Sequence, residues 1–135
     1  MKKLTTRIIL VCPVRGIALL ENIDGKLELP GGKLEGKETF IEAAGRELME
    51  ETGLIKRDNE LLALGMWGNK SKIVGVYGVV LSPDDIVNNY LKEGGKAIWL
   101  SDSCQKINLT KSSLKSMRYL VALENNIDIM KKAGA

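Results

Sequence analysis

GGKLEGKETFIEAAGRELMEETGL, residues 31–54, places six glutamates in one glycine-punctuated segment of a chain whose formal net charge is +3. Thr39-Phe40-Ile41-Glu42 has the form of a capping box: the threonine hydroxyl accepts from the third backbone amide, and the glutamate reaches back to the first. Thr52-Gly53 supplies a stop, so the segment predicts a helix of about three to four turns between two loops. Phe40, Ile41, Ala44 and Leu48 lie on one face of that helix and can bury against a sheet. Glu47, Glu50 and Glu51 share the other face, with Arg46 at its edge. Like charges at this spacing destabilise a helix by roughly 0.2–0.5 kcal/mol per pair, so the acidic face gains nothing unless something positive sits there.

A solvated acidic face is the plain reading of such a charge run. Three carboxylates on one face also suit a hard divalent cation with oxygen ligands, above all Mg²⁺, which shares its remaining positions with water and substrate phosphates. The preceding loop LPGGKLEG favours the second reading. Pro30 fixes one backbone angle, and Gly31-Gly32 let the main chain approach a ligand closely, although an ordinary glycine-rich turn has the same composition.

The remaining sequence narrows the possibilities. At 135 residues with 44% hydrophobic content, the chain reads as one globular domain over residues 1–135. The charge is too mild for a dedicated DNA binder. The longest apolar stretch, Ile73 to Leu81, is too short to cross a membrane. The start MKKLTTRIILVCPV lacks a small-x-small cleavage pattern and reads as a buried strand, and Cys12 and Cys104 read as reduced, packed thiols of a cytoplasmic protein. With no histidine anywhere, Ser-His-Asp and Cys-His catalysis and histidine-bound zinc are excluded.

Strands and helices alternate along the chain. Arg7 to Val11 predicts a strand, and Gly16 to Asn22 with Lys26 to Leu29 a hairpin around Asp24-Gly25. Ile73, Tyr77, Val79 and Leu81 alternate with Val74, Val76 and Val80, which predicts a strand covered on both faces. Ser82-Pro83-Asp84-Asp85 is expected to start a short helical turn, and Lys96 to Ser101 another strand. A C-terminal helix capped by Thr110 is expected to bury Leu114, Met117 and Val121. The fold class is α/β, a mixed sheet between helices.

Gly32, Glu38, Arg46-Glu47-Leu48, Glu50-Glu51, Gly53 and Leu54 match without departure the pattern G-x5-E-x7-R-E-U-x-E-E-x-G-U, where U is a bulky aliphatic residue. On these residues the chain resembles the Nudix hydrolase family, and its short form is similar to the MutT-type members. The resemblance implies an α/β/α sandwich with a loop-helix-loop metal site that hydrolyses a nucleoside diphosphate linked to another moiety. It implies metal ligands at Glu47, Glu50, Glu51 and the carbonyl of Gly31 or Gly32, with Mg²⁺ as cofactor and Mn²⁺ able to substitute. Arg46 and Glu38 would form an ion pair that orients Glu47. The general base is expected at Glu93, in the loop Lys92-Glu93-Gly94-Gly95, or at Glu47.

The substrate is expected to be a (deoxy)nucleoside triphosphate, oxidised or not, cleaved to monophosphate and pyrophosphate. RNA 5′ ends, dinucleoside polyphosphates, nucleotide sugars and a non-catalytic nucleotide sensor are the alternatives. The proline that marks an ADP-ribose subgroup, about fifteen residues after the box, has no counterpart between Gly32 and Pro83. Tyr77 lies too far along to match the tyrosine of a diadenosine-polyphosphate subgroup. Trp67, Phe40 and Tyr77 are candidates to stack a base and Asn108 to read its edge; core packing and a simple turn are the bland readings.

Overall fold

The computed structural model describes residues 2–100 and 108–125, so Cys104 and Ser101 lie outside the described residues. The first half of the chain holds β1 (Lys3–Cys12), β2 (Gly16–Glu21), β3 (Leu27–Glu28) and helix α1 (Phe40–Thr52). The second half holds β4 (Leu62–Gly68), β5 (Lys72–Val80), β6 (Asn88–Asn89), β7 (Gly95–Lys96), β8 (Ile98–Leu100) and helix α2 (Lys111–Ser116). The helical course continues through a 3-10 turn, Met117–Tyr119, into residues 120–125.

The main sheet runs β3-β2-β1-β5-β4, with β8 also paired to β2. It is mixed, because β1 and β5 run parallel from Lys3 opposite Lys72 to Val11 opposite Val80 while the other pairs are antiparallel. Strand alternation sends β1 and β5 side chains to two cores. Ile8, Leu10, Val79 and Leu81 meet Ala44 and Leu48 of α1 in one, whereas Ile9, Val11, Val74 and Val76 meet Leu123 in the other. The layers are therefore α/β/α, as the alternation within residues 73–81 predicted.

Two glycines of β5 receive the helices on opposite faces. A Cβ at Gly75 would lie 2.8 Å from the Phe40 ring, and one at Gly78 would lie 2.9 Å from Leu123. Phe40 is thus a docking residue of α1 and not an open platform for a base, and Tyr77 packs partly buried against the α1 core. The caps of α1 fall where the sequence puts them: Thr39 and Glu42 exchange the capping-box hydrogen bonds, and Gly53 closes the helix in the left-handed region.

Three expectations need correction. The segment Ser82 to Asp85 forms a hydrogen-bonded turn and no helix; the Asp85 carboxylate accepts from the Ser82 amide and satisfies the loop locally. Ala97 divides the expected strand at Lys96 into the separate strands β7 and β8. The C-terminal helix packs Met117 against the core as expected, but the rest of its inward face differs. Thr110 caps it, but Leu114 and Val121 are 61% and 63% exposed, while Ser112, Ser113 and Ser116 are buried.

Each buried serine has a distant hydrogen-bond partner. The Ser113 hydroxyl accepts from the Leu29 amide at 2.9 Å, Ser116 from the Trp67 indole N–H at 2.9 Å, and Ser112 from Arg7 Nε at 3.3 Å. Removing Ser113 leaves a buried amide without an acceptor, which costs about 1–3 kcal/mol. Chemical denaturation should therefore show Ser113→Ala destabilised by that amount and Leu114→Ala changed by less than about 0.5 kcal/mol.

Candidate active site

The glycine loop is part of the sheet. The Ile8 amide donates to Pro30 O and the Thr6 amide to Gly32 O, both at 2.8 Å, and the Leu34 amide donates to Leu4 O at 2.9 Å. Residues 30–34 thus flank the N-terminal half of β1, and β2 takes over at Leu10. Alternate carbonyls of a paired strand face its partner. The Gly31 carbonyl accordingly points away from β1 and receives no hydrogen bond from a described residue. Of the two carbonyls that the sequence left open, Gly32's is occupied and Gly31's has no donor among the described residues.

Gly31 is sterically required by backbone, whereas a side chain at Gly32 would displace the Glu47 carboxylate. At Gly31, where φ is +150°, a Cβ would sit 2.0 Å from the Thr6 carbonyl oxygen; at Gly32 it would sit 2.5 Å from Glu47 Oε1. The loop is thereby pressed between β1 and the carboxylate of Glu47.

Arg46 joins this loop to α1. Its Nε and Nη2 form a bidentate pair with Glu38 at 2.7 and 2.9 Å, and Nη2 also donates to the Lys33 carbonyl at 2.9 Å. Nη1 donates to Glu47 at 3.0 Å and to Glu50 at 3.2 Å. The Arg46 hydrogen bonds hold the Glu38 carboxyl below the usual carboxylate range. Arg46, Glu38 and Glu47 therefore meet, the arrangement that the resemblance implies.

The three metal-ligand candidates share the expected helix face, yet their carboxylates do not meet. Among the described residues no three acidic side chains stand together as a ready metal-ligand set. Arg46 Nη1 is shared by Glu47 and Glu50, and Glu51 accepts from the Gly31 amide at 3.0 Å. Like charges at helical spacing are relieved in this way. The donor set nevertheless fits a hard cation, because it comprises carboxylate oxygens and a carbonyl to which no described residue donates. Burial first, with the Glu47 and Glu28 carboxylates adding to it, pushes Glu51 up to about 8 against the opposing Gly31 amide and Arg7.

Glu93 lies in the exposed turn between β6 and β7 and makes no hydrogen bond or ion pair with a described residue. That hairpin is tied to the end of α1 by the Tyr90 amide, which donates to Glu51 O at 2.8 Å. Asn108 is exposed, and its backbone carbonyl accepts from Leu27. Arg7, which belongs to no motif of the sequence, donates to Leu29 O at 2.8 Å and acts electrostatically on Glu51. Its signal was a charge on the same strand face as core residues Ile9 and Val11.

A family model for the NUDIX domain matches residues 2–101. The chain belongs to the NUDIX domain family. Phosphatase NudJ of Escherichia coli strain K12 is 43% identical over 49 residues, which are 35% of this chain and only 32% of that protein. A MutT/nudix family protein from Listeria innocua superposes with a TM-score of 0.71 at 17% identity, over 95% of this chain and 97% of that one. A bifunctional NMN adenylyltransferase/ADP ribose pyrophosphatase from Francisella tularensis, complexed with AMP and a manganese ion, superposes with a TM-score of 0.69 at 17% identity. That match covers 90% of this chain and 42% of the other. At such identities the solved structures share the fold.

The raised pKa of Glu51 makes a stability prediction. A carboxyl that keeps its proton in the folded state but releases it on unfolding lowers stability as pH rises from about 4.5 to about 8. In metal-free buffer, thermal unfolding across that range should decline less steeply for Glu51→Gln than for the unaltered protein.

Proposed function

We propose that this chain, acting as one domain over residues 1–135 in the cytoplasm, hydrolyses the pyrophosphate linkage of a nucleoside diphosphate derivative. A (deoxy)nucleoside triphosphate is the first candidate, cleaved to monophosphate and pyrophosphate. The carrying observation is the Gly31 carbonyl, which receives no hydrogen bond from a described residue, while the Gly31 amide donates to Glu51 and the neighbouring Gly32 lies against Glu47. Glu47, Glu50, Glu51 and this carbonyl would hold Mg²⁺, or Mn²⁺ as in the Francisella protein's complex. A cation bound there supplies charge neutralisation on phosphate oxygens and a more acidic water.

The other residues position and move protons. Glu38 and the Lys33 carbonyl hold the Arg46 guanidinium, which in turn fixes Glu47. Glu93, on the hairpin tied to the end of α1, is assigned the general base: it takes a proton from the water that attacks phosphorus while the bond to the bridging oxygen breaks. Glu47 takes that role if Glu93 does not.

Retention of Glu47, Glu50 and Glu51 favours an enzyme over a nucleotide sensor. The test is Mg²⁺-dependent hydrolysis of nucleoside triphosphates, oxidised deoxynucleoside triphosphates, dinucleoside polyphosphates, nucleotide sugars and triphosphorylated RNA, with products identified. Glu47→Gln and Glu51→Gln should each reduce kcat by at least about 10²-fold, and Glu93→Gln by about 10²–10⁴-fold. Near-normal turnover of Glu93→Gln returns the base to Glu47; nucleotide binding without turnover of any substrate identifies a sensor.

A further inference from the structure

Five lysines from four parts of the chain, Lys3, Lys33, Lys72, and Lys111 with Lys115 of α2, ring a cavity of about 420 Å³ on the α2 side of the sheet. Its size is that of a small-molecule site, roughly 300–1,000 Å³. Among the described residues no carboxylate lines it, and none of the five lysines forms an ion pair with a described residue. These five charges exceed the whole chain's net +3, so the rest of the protein is net acidic. A concentration of unneutralised cations around a concavity raises its potential and favours an anionic occupant.

Trp67 forms one wall. Lys72 Nζ lies 5.3 Å and Lys115 Nζ 5.1 Å from its ring centre, so ammonium groups already engage the indole as cation–π partners. The cavity therefore presents charge more than an open stacking surface. Burial, followed by the charges of Arg7, Lys115 and Lys3, pushes the Lys72 ammonium below its ordinary pKa. The cations repel one another, and an anion would relieve that repulsion.

The cavity also touches the box. Lys33 follows Gly32 directly, lies opposite Thr5 of the cavity wall, and gives its carbonyl to Arg46. A smaller hollow of about 230 Å³ shares Lys3 and Lys33 with the cavity and reaches Glu38. On the other side Ser112, also in the wall, accepts from Arg7, whose charge reaches Glu51.

We infer that this lysine cavity binds phosphate groups of the substrate that lie beyond the scissile linkage, so the substrate class is a small nucleotide bearing additional phosphate on its distal moiety. The inference rests on the hydrolase reading for its substrate, but the cavity can be tested without turnover.

Inorganic tripolyphosphate is the probe for binding. Titrated into Trp99→Phe, which leaves Trp67 as the sole indole, it should change the emission saturably; calorimetry on the unaltered protein should give the same constant. Affinity should fall steeply with added salt, and Lys72→Gln/Lys115→Gln should weaken it by about tenfold or more. Absent or non-saturating binding, or equal affinity in the double variant with its fold intact by circular dichroism, overturns the assignment. Binding confined to triphosphorylated RNA overturns it in favour of an RNA 5′-end surface.

For turnover, two pairs differ by one phosphate beyond the linkage: adenosine 5′-tetraphosphate against ATP, and ATP against ADP. The phosphorylated member should have the higher kcat/KM, by about tenfold, and the double variant should bring the ratio toward one through KM. A ratio of one in the unaltered protein overturns the substrate class. Tripolyphosphate binding with no hydrolysis of any pyrophosphate substrate supports the cavity and overturns the hydrolase reading instead.

Discussion

The hydrogen bonds from the Thr6 and Ile8 amides to the carbonyls of Gly32 and Pro30 set the geometry on which the candidate site depends. Because a paired strand alternates its carbonyls, fixing those two directs the Gly31 carbonyl away from β1. The same pairing holds the Gly31 amide where Glu51 can accept from it and brings Gly32 under Glu47. A one-residue slip would reverse all of these directions together, and the Cβ that any other residue would place at Gly31 collides with β1. The loop is therefore rigid through pairing and sterics at once.

Arg46 extends that order to the helix. Its planar guanidinium is suited to bidentate capture of one carboxylate while its remaining donors reach others. Here Glu38 takes the bidentate place, and Nη1 spans Glu47 and Glu50. The acidic face that the sequence presented as a problem of like charges is compensated from within the motif. Glu51 is the exception: its carboxylate is relieved mainly by proton retention, a backbone amide and the nearby charge of Arg7.

Features resting on local chemistry were legible in the sequence. Thr39, Glu42 and Gly53 mark the ends of α1 through contacts only a few residues long, and the alternation of residues 73–81 disclosed a strand between two cores. Arg46, Glu47, Glu50 and Glu51 of the box are close in sequence and hence close on α1. Strand β4 escaped notice because it is interrupted by Gly65, beside a bulge, where the Tyr119 ring would collide with any side chain. The inward face of α2 was misread because hydropathy credits Leu114 and Val121, whereas serines can be buried if distant partners satisfy them. The lysine cavity draws from four separate places in the chain, and only Lys111 and Lys115, one helical turn apart, are related by a period.

The glycine notches of β5 have a mechanical corollary. Phe40 rests over Gly75, and along that face of the strand the next positions on either side carry the side chains of Ile73 and Tyr77. Sliding α1 lengthwise would force the aromatic ring from a hollow onto a ridge within about 7 Å of travel. The notch acts as a detent on the axial placement of α1, so the height of its carboxylates above the glycine loop is indexed to a residue on the opposite side of β1.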